Sequence, residues 1–170
     1  MILKKIMLLG DMAVGKTSIA NRLVFDRMPT DYKSTIGIDI YRYDVDLGPN
    51  EKSFQFLVWD TDGNIGDAMF RDKQMKGAHV AIVVGDLTRR DAMVHQLQLA
   101  QKFSDEFPGR YLVGVLNKTD LNNDIPEDED HIPEGLRKGF FPICHTSAKT
   151  GENVAQTFVD AAKTIVRRNL

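Results

Sequence analysis

Gly10-Asp11-Met12-Ala13-Val14-Gly15-Lys16-Thr17 follows the apolar run Ile6-Met7-Leu8-Leu9 and precedes Ser18-Ile19-Ala20-Asn21-Arg22-Leu23, which reads as helix. A glycine-bounded loop ending in Lys-Thr, set between a strand and a helix, is the arrangement that cradles nucleotide phosphates. Gly10 and Gly15 allow the tight turn that aims backbone N–H groups at phosphate oxygens, and the helix N-terminus adds its positive dipole end. In that arrangement Lys16 reaches the β- and γ-phosphates, while the Thr17 hydroxyl ligates Mg²⁺. The alternative, a glycine-rich turn with an incidental lysine, leaves the full spacing and the flanking elements unexplained.

Outward from this loop, runs rich in β-formers recur at Ile2–Leu9, Ile38–Leu47, Ser53–Trp59, Val80–Gly85, Tyr111–Leu116 and Phe141–His145. Helix-length segments separate most of them, including Thr17–Phe25, Asp91–Phe107 and Val154–Arg168. Apolar strands alternating with amphipathic helices predict a mostly parallel sheet covered on both faces, an α/β fold. The connector Asp46-Leu-Gly-Pro-Asn-Glu51 is too short for a helical crossover, so the second and third strands are expected to form an antiparallel hairpin, with the second at the edge. The acidic stretch Asn122–His131 contains Pro126 and is followed by Pro133 and Gly135; it is expected to be a solvated surface with at most a short helix.

The chain has 170 residues, which suits one compact domain, residues 1–170. Its 22 basic and 24 acidic residues give a formal charge of −2 and no basic stripe, so no nucleic-acid partner is expected. The single Cys144 cannot form an internal disulfide. No apolar run approaches membrane-spanning length and the N-terminus reads as a strand, which predicts a soluble, intracellular protein.

Phe54-Gln-Phe-Leu-Val-Trp-Asp60 ends a buried-looking run on a carboxylate. Alone, Asp60 reads as an Asp opening a turn; beside the phosphate loop it fits a group that accepts from Mg²⁺-bound waters and steadies Thr17. Gly63 reads either as a γ-phosphate contact through its N–H or as a turn glycine. Asn117-Lys118-Thr119-Asp120 ends another strand. A carboxylate at Asp120 can accept from both N1–H and the exocyclic amine of guanine, a pair that adenine does not offer. Asn117 can tie this loop to the phosphate loop, and the stem of Lys118 can lie along the base with its charged head in water. Thr146-Ser147-Ala148-Lys149 adds an N–H at Ala148 for guanine O6 and a second ring cover at Lys149.

Taken together, Gly10–Thr17, Ser34-Thr-Ile-Gly-Ile-Asp39, Trp59-Asp-Thr-Asp-Gly63, Asn117–Asp120 and Thr146–Asn153 make the chain resemble the Ras-like small GTPases, and among them the Rab branch. The resemblance covers nearly all of the sequence. It implies a P-loop NTPase fold with three layers: a six-stranded, mostly parallel sheet with one antiparallel edge strand and about five helices. It also implies nucleotide contacts from Asp11, Met12, Ala13, Val14, Gly15, Lys16, Thr17 and Ser18, and from Met28, Tyr32, Gly63, Ser147, Ala148 and Lys149. Thr35 would join Thr17 and Asp60 at Mg²⁺ and meet the γ-phosphate. Such proteins act as timers, in which GTP and Mg²⁺ hold two switch loops in a partner-binding form that hydrolysis relaxes. Here the switches would span about residues 27–39 and 60–74 and meet effectors, exchange factors and activators.

The departures from the family pattern gather where hydrolysis is carried out. Asp62-Gly63-Asn64-Ile65 stands where the family has Ala-Gly-Gln-Glu. Asn64 carries the water-orienting amide on a side chain one methylene shorter, and Asp62 sets a carboxylate near the γ-phosphate; both predict slow chemistry. Met12 and Ala13 replace small residues, and Met12 would project into the space of an inserted arginine finger. Met28 replaces an aromatic at the guanine edge and predicts weaker nucleotide affinity or faster release, unless Tyr32 compensates. Ile65, Gly66, Asp67, Gln74 and Met75 replace features that Rab partners read, leaving Trp59 of an aromatic trio. No cysteine follows Cys144, so the family's prenylated tail is absent from this sequence and membrane attachment is not supported. The expected location is the cytoplasm, or a membrane periphery reached through a partner or a tail beyond this chain. Two functions follow: a slow GTPase switch using Lys16, Gly63, Thr35 and Asn64, or a GTP-binding module that hydrolyses nothing useful.

Overall fold

A computed structural model describes residues 1–29, 37–49, 51–61, 63, 75–128 and 130–170. Tyr32, Thr35, Asp62, Asn64–Asp67 and Gln74 lie outside these residues. The strands are β1 (Ile2–Gly10), β2 (Ile38–Val45), β3 (Phe54–Thr61), β4 (Ala78–Asp86), β5 (Tyr111–Asn117) and β6 (Ile143–His145). The helices are α1 (Lys16–Phe25), α2 (Arg90–Glu106), the single turn α3 (Glu134–Arg137) and α4 (Val154–Arg168). Four α-helices are thus present among the described residues, where the resemblance implies about five.

The sheet runs in the order β2-β3-β1-β4-β5-β6, and only β2 pairs antiparallel, at the edge. Two strands are shorter than their β-forming composition suggests. In β2 the run stops at Val45 because the Asp46 carboxylate accepts from Gly48 N–H at 2.9 Å and turns the chain. The last strand starts at Ile143 because Pro142 has no N–H to give; its carbonyl instead accepts from Gly114 N–H at 2.8 Å.

Period-2 alternation along β1 sends Ile6 and Leu8 to one face and Met7 and Leu9 to the other, all four fully buried. The first face packs against α1 and α4 through Ile19, Ala20, Leu23, Phe158, Ala161, Ala162 and Ile165. The last four sit at i, i+3, i+4 and i+7, one stripe of α4. The second face packs against α2 through Leu99, Ala100 and Phe103, together with Met75. Because β1, β4 and β5 are parallel, Gly10, Asp86 and Asn117 emerge at one sheet edge, and the register places Gly10 beside Val84 and Asp86 beside Asn117. Ligands of open parallel sheets bind at this C-terminal edge.

The acidic segment departs from its expected solvated character at one point. His131 is buried, and its Nε2–H donates to the Leu87 carbonyl at 2.6 Å, since a carbonyl can only accept. The rest of the stretch matches the sequence more closely, with a three-residue 3₁₀ turn at Asn122–Asp124 and mostly exposed side chains.

Candidate functional site

The loop between β1 and α1 is built on unusual backbone conformations. Gly15 caps α1 at φ 102° with no side-chain cap, which leaves the helix's first N–H groups open to an anion. Glycine is also needed there for space, because a Cβ would lie 2.3 Å from Asn117 Nδ2. Ala13 adopts φ 61°, the left-handed region, despite carrying a Cβ. Lys16 is only 6% exposed and folds back to donate to the carbonyls of Gly10 and Asp11 at 2.9 and 2.7 Å. Its ammonium is therefore held under the loop by the loop's own carbonyls. The Met12 side chain is 43% exposed at the loop's lip.

Asp60, fully buried at the end of β3, accepts from the Thr17 hydroxyl at 2.6 Å. A hydroxyl and a carboxylate beside a phosphate cradle are hard oxygen donors, the set that suits Mg²⁺, which takes one or two protein oxygens and completes its shell with phosphate and water. The residues present fit that ion. Gly63 approaches the loop so closely that a Cβ on it would lie 2.5 Å from Met12 N and Cα. Glycine at this position lets the backbone at residue 63 come up against the phosphate loop.

The base side is joined by side chains. Asn117 donates Nδ2–H to the Val14 carbonyl at 3.0 Å; its Oδ1 accepts from the Thr146 hydroxyl and Ala148 N–H, both at 3.1 Å. Asp120 accepts from the Ser147 hydroxyl at 2.6 Å and has the Lys149 ammonium 4.0 Å away. The Ala148 N–H expected to meet guanine O6 is thus already donated to Asn117, and a base would share it.

Lys118 corrects the sequence reading. Its head is only partly in water: it donates to the Ala13 carbonyl at 2.8 Å and pairs with Asp86 at 2.6 Å. The buried carboxylate draws it there, because a desolvated charge without a partner is costly. Burial alone would raise the Asp86 pKa, but the hydrogen bonds from Lys118 and Thr88 prevail and hold it below the ordinary carboxylate value.

Three residues of the site escaped the sequence reading. Asp86 ends an apolar strand, as Asp60 and Asn117 do, and that pattern was a usable signal. Arg89 donates Nη1–H to the Met12 carbonyl and Nη2–H to Asp11 Oδ2, both at 2.9 Å, clamping the phosphate loop from outside. Arg22, on α1, holds the carbonyls of Ala148 and Lys149. Neither arginine belongs to a motif, and only the fold brings them to these partners.

On the sheet face near the edge, Ile40 pairs opposite Trp59 in the β2–β3 ladder and is 53% exposed. Trp59 is partly buried against the Met7 cluster and carries the Lys5 ammonium 3.4 Å above its ring. Met28, which follows α1, is 36% exposed. Among the described residues no helix is long and apolar enough to cross a membrane.

The Ras family model matches residues 5–167, and the chain belongs to the Ras family of GTP-binding switch proteins, whose members hydrolyse GTP and engage effectors and exchange factors.

Proposed function

We propose that this family member is a guanine-nucleotide switch that binds GTP and GDP with Mg²⁺ and hydrolyses GTP slowly. The observation that carries the reading is the linked base and phosphate machinery: Asn117 joins Val14 to Ala148, while Lys118 joins Ala13 to Asp86. Asp120, oriented by Ser147, accepts from the N1–H and exocyclic amine of guanine. The loop N–H groups and Lys16 hold the β- and γ-phosphates and balance charge on the transferred phosphoryl group. Thr17 and Asp60 would hold Mg²⁺, with Thr35 joining them; the ion would supply neutralisation of the phosphates' charge. Asn64 orients the attacking water, and its shorter reach sets the slow rate.

Within the family we read the chain as a divergent, Rab-like, cytoplasmic member whose partners meet the switches and the Ile40–Trp59 face. A hydrolysis-deficient binding module is the second reading, favoured by the exposed Met12 at the loop's lip, where an incoming arginine finger would otherwise enter.

Single-turnover hydrolysis of pre-loaded GTP tests the choice, with the parent compared to Asn64→Gln. The expected result is a parent slower than about 10⁻⁴ s⁻¹, the usual intrinsic scale, and a faster Gln variant. A parent at or above that scale overturns the slow-timer reading. No turnover in either protein, with GTP retained, selects the binding module.

A further inference from the structure

Arg22 sits on α1, six residues after Lys16, where its position reads as a surface arginine paired with Asp26 at i+4. The geometry is richer than such a pair. Nε–H donates to the Ala148 carbonyl at 2.9 Å and Nη2–H to the Lys149 carbonyl at 2.6 Å. Nη1–H donates to the Asp26 carbonyl at 2.9 Å and to its carboxylate at 3.1 Å. One planar guanidinium therefore grips two successive carbonyls of the base loop and the C-cap of α1 at once, a fork that lysine cannot reproduce.

Both gripped segments border the base site. Ala148 is fixed from its other side through the N–H it gives to Asn117, so Arg22 completes the clamp on the stretch that carries Ser147, the group orienting Asp120. Asp26 caps α1 in the left-handed conformation at φ 50°, two residues before Met28. With a methionine where an aromatic wall is usual, the exit of the chain from α1 gains importance for covering the base.

We propose that Arg22 is a positioning residue that sets the lifetime and the base selectivity of the bound guanine nucleotide. The proposal rests on the guanine-nucleotide reading above. Arg22 touches neither base nor phosphate in this scheme; it acts through the Ala148–Lys149 loop and the α1 cap.

The test measures release of loaded GDP into excess unlabelled nucleotide, with inosine diphosphate as comparison because it lacks the exocyclic amine that Asp120 would accept. Arg22→Met keeps the apolar stem and removes every donor; Arg22→Lys keeps the charge. Arg22→Met is expected to release GDP about tenfold faster, the change that losing one or two net hydrogen bonds brings. Its preference for GDP over inosine diphosphate should shrink, with and without Mg²⁺, and Arg22→Lys should fall between it and the parent.

Asp26→Gly removes the exposed carboxylate contact, suits the left-handed cap, and should stay within about twofold of the parent. Release from Arg22→Met at the parent rate overturns the proposal. So does faster release with the GDP preference intact, which is general loosening, and so does an Asp26→Gly variant that reproduces the whole effect. Where Arg22→Met folds poorly, Arg22→Lys carries the test, and a parent-like rate in it overturns the proposal. A parent that binds no GDP instead removes the guanine-nucleotide reading itself.

Discussion

The base side and the phosphate side of this site are built in different ways. On the base side Asn117, Thr146, Ser147, Asp120 and Ala148 satisfy one another, and Lys118 is fixed by buried Asp86, so the loops are shaped by side-chain bonds within the chain. On the phosphate side the shape comes from backbone: Gly15 in the left-handed region, Ala13 forced into it, and Gly63 pressed against Met12. A network of polar side chains fails when one member is lost, whereas a backbone cradle tolerates side-chain change at its rim. By that difference Met12, exposed at the rim, is the more tolerant position and buried Asn117 the less.

Asn117→Ala is the strongest way to break the comparison. It leaves the Val14 carbonyl, the Thr146 hydroxyl and the Ala148 N–H without their partner in a buried setting, at about 1–3 kcal/mol for each group left unsatisfied. A loss of about 3 kcal/mol or more in denaturant unfolding, even without nucleotide, is expected; a loss below about 1 kcal/mol would show that the base side is no network.

Acid should separate the two sides next. The folded-state pKa of Asp86 lies below its ordinary value of 3.8, so its contribution is fully present above that pH and is lost as pH falls through the lower folded value. Stability measured from pH 5 down to pH 2 should fall less steeply in Asp86→Asn than in the parent, because Asn has no proton to gain. Equal slopes would mean that the Lys118–Asp86 pair contributes nothing to acid sensitivity.

The smallest effect sharpens the phosphate side. Ala13→Gly removes the left-handed penalty of about 1 kcal/mol that a Cβ imposes and should raise the unfolding midpoint by a few degrees, offset in part by the greater freedom of glycine in the unfolded chain. A lower midpoint would show that Ala13 is held without strain.

Much of the fold was legible because its signals are local. Alternation in Ile6–Leu9, the stripe Phe158–Ile165 and the short connector Asp46–Glu51 each specify an element without knowledge of the rest. The motifs at Lys16, Asp60 and Asn117 were legible for the same reason. Strand order was not, since pairing β1 between β3 and β4 depends on contacts distant in sequence. Arg22 and Arg89 were hidden because their partners lie more than 70 residues away, at Ala148 for one and at Met12 for the other. The pairing of the Lys118 head with buried Asp86 was hidden because the two meet only through the register of β4 and β5.

The parallel strands β1, β4 and β5 finish at one edge, with Gly10, Asp86 and Asn117 in a row beyond the two packed apolar layers. A side chain at the rim of that edge, as exposed Met12 is, can therefore change without disturbing either packed layer.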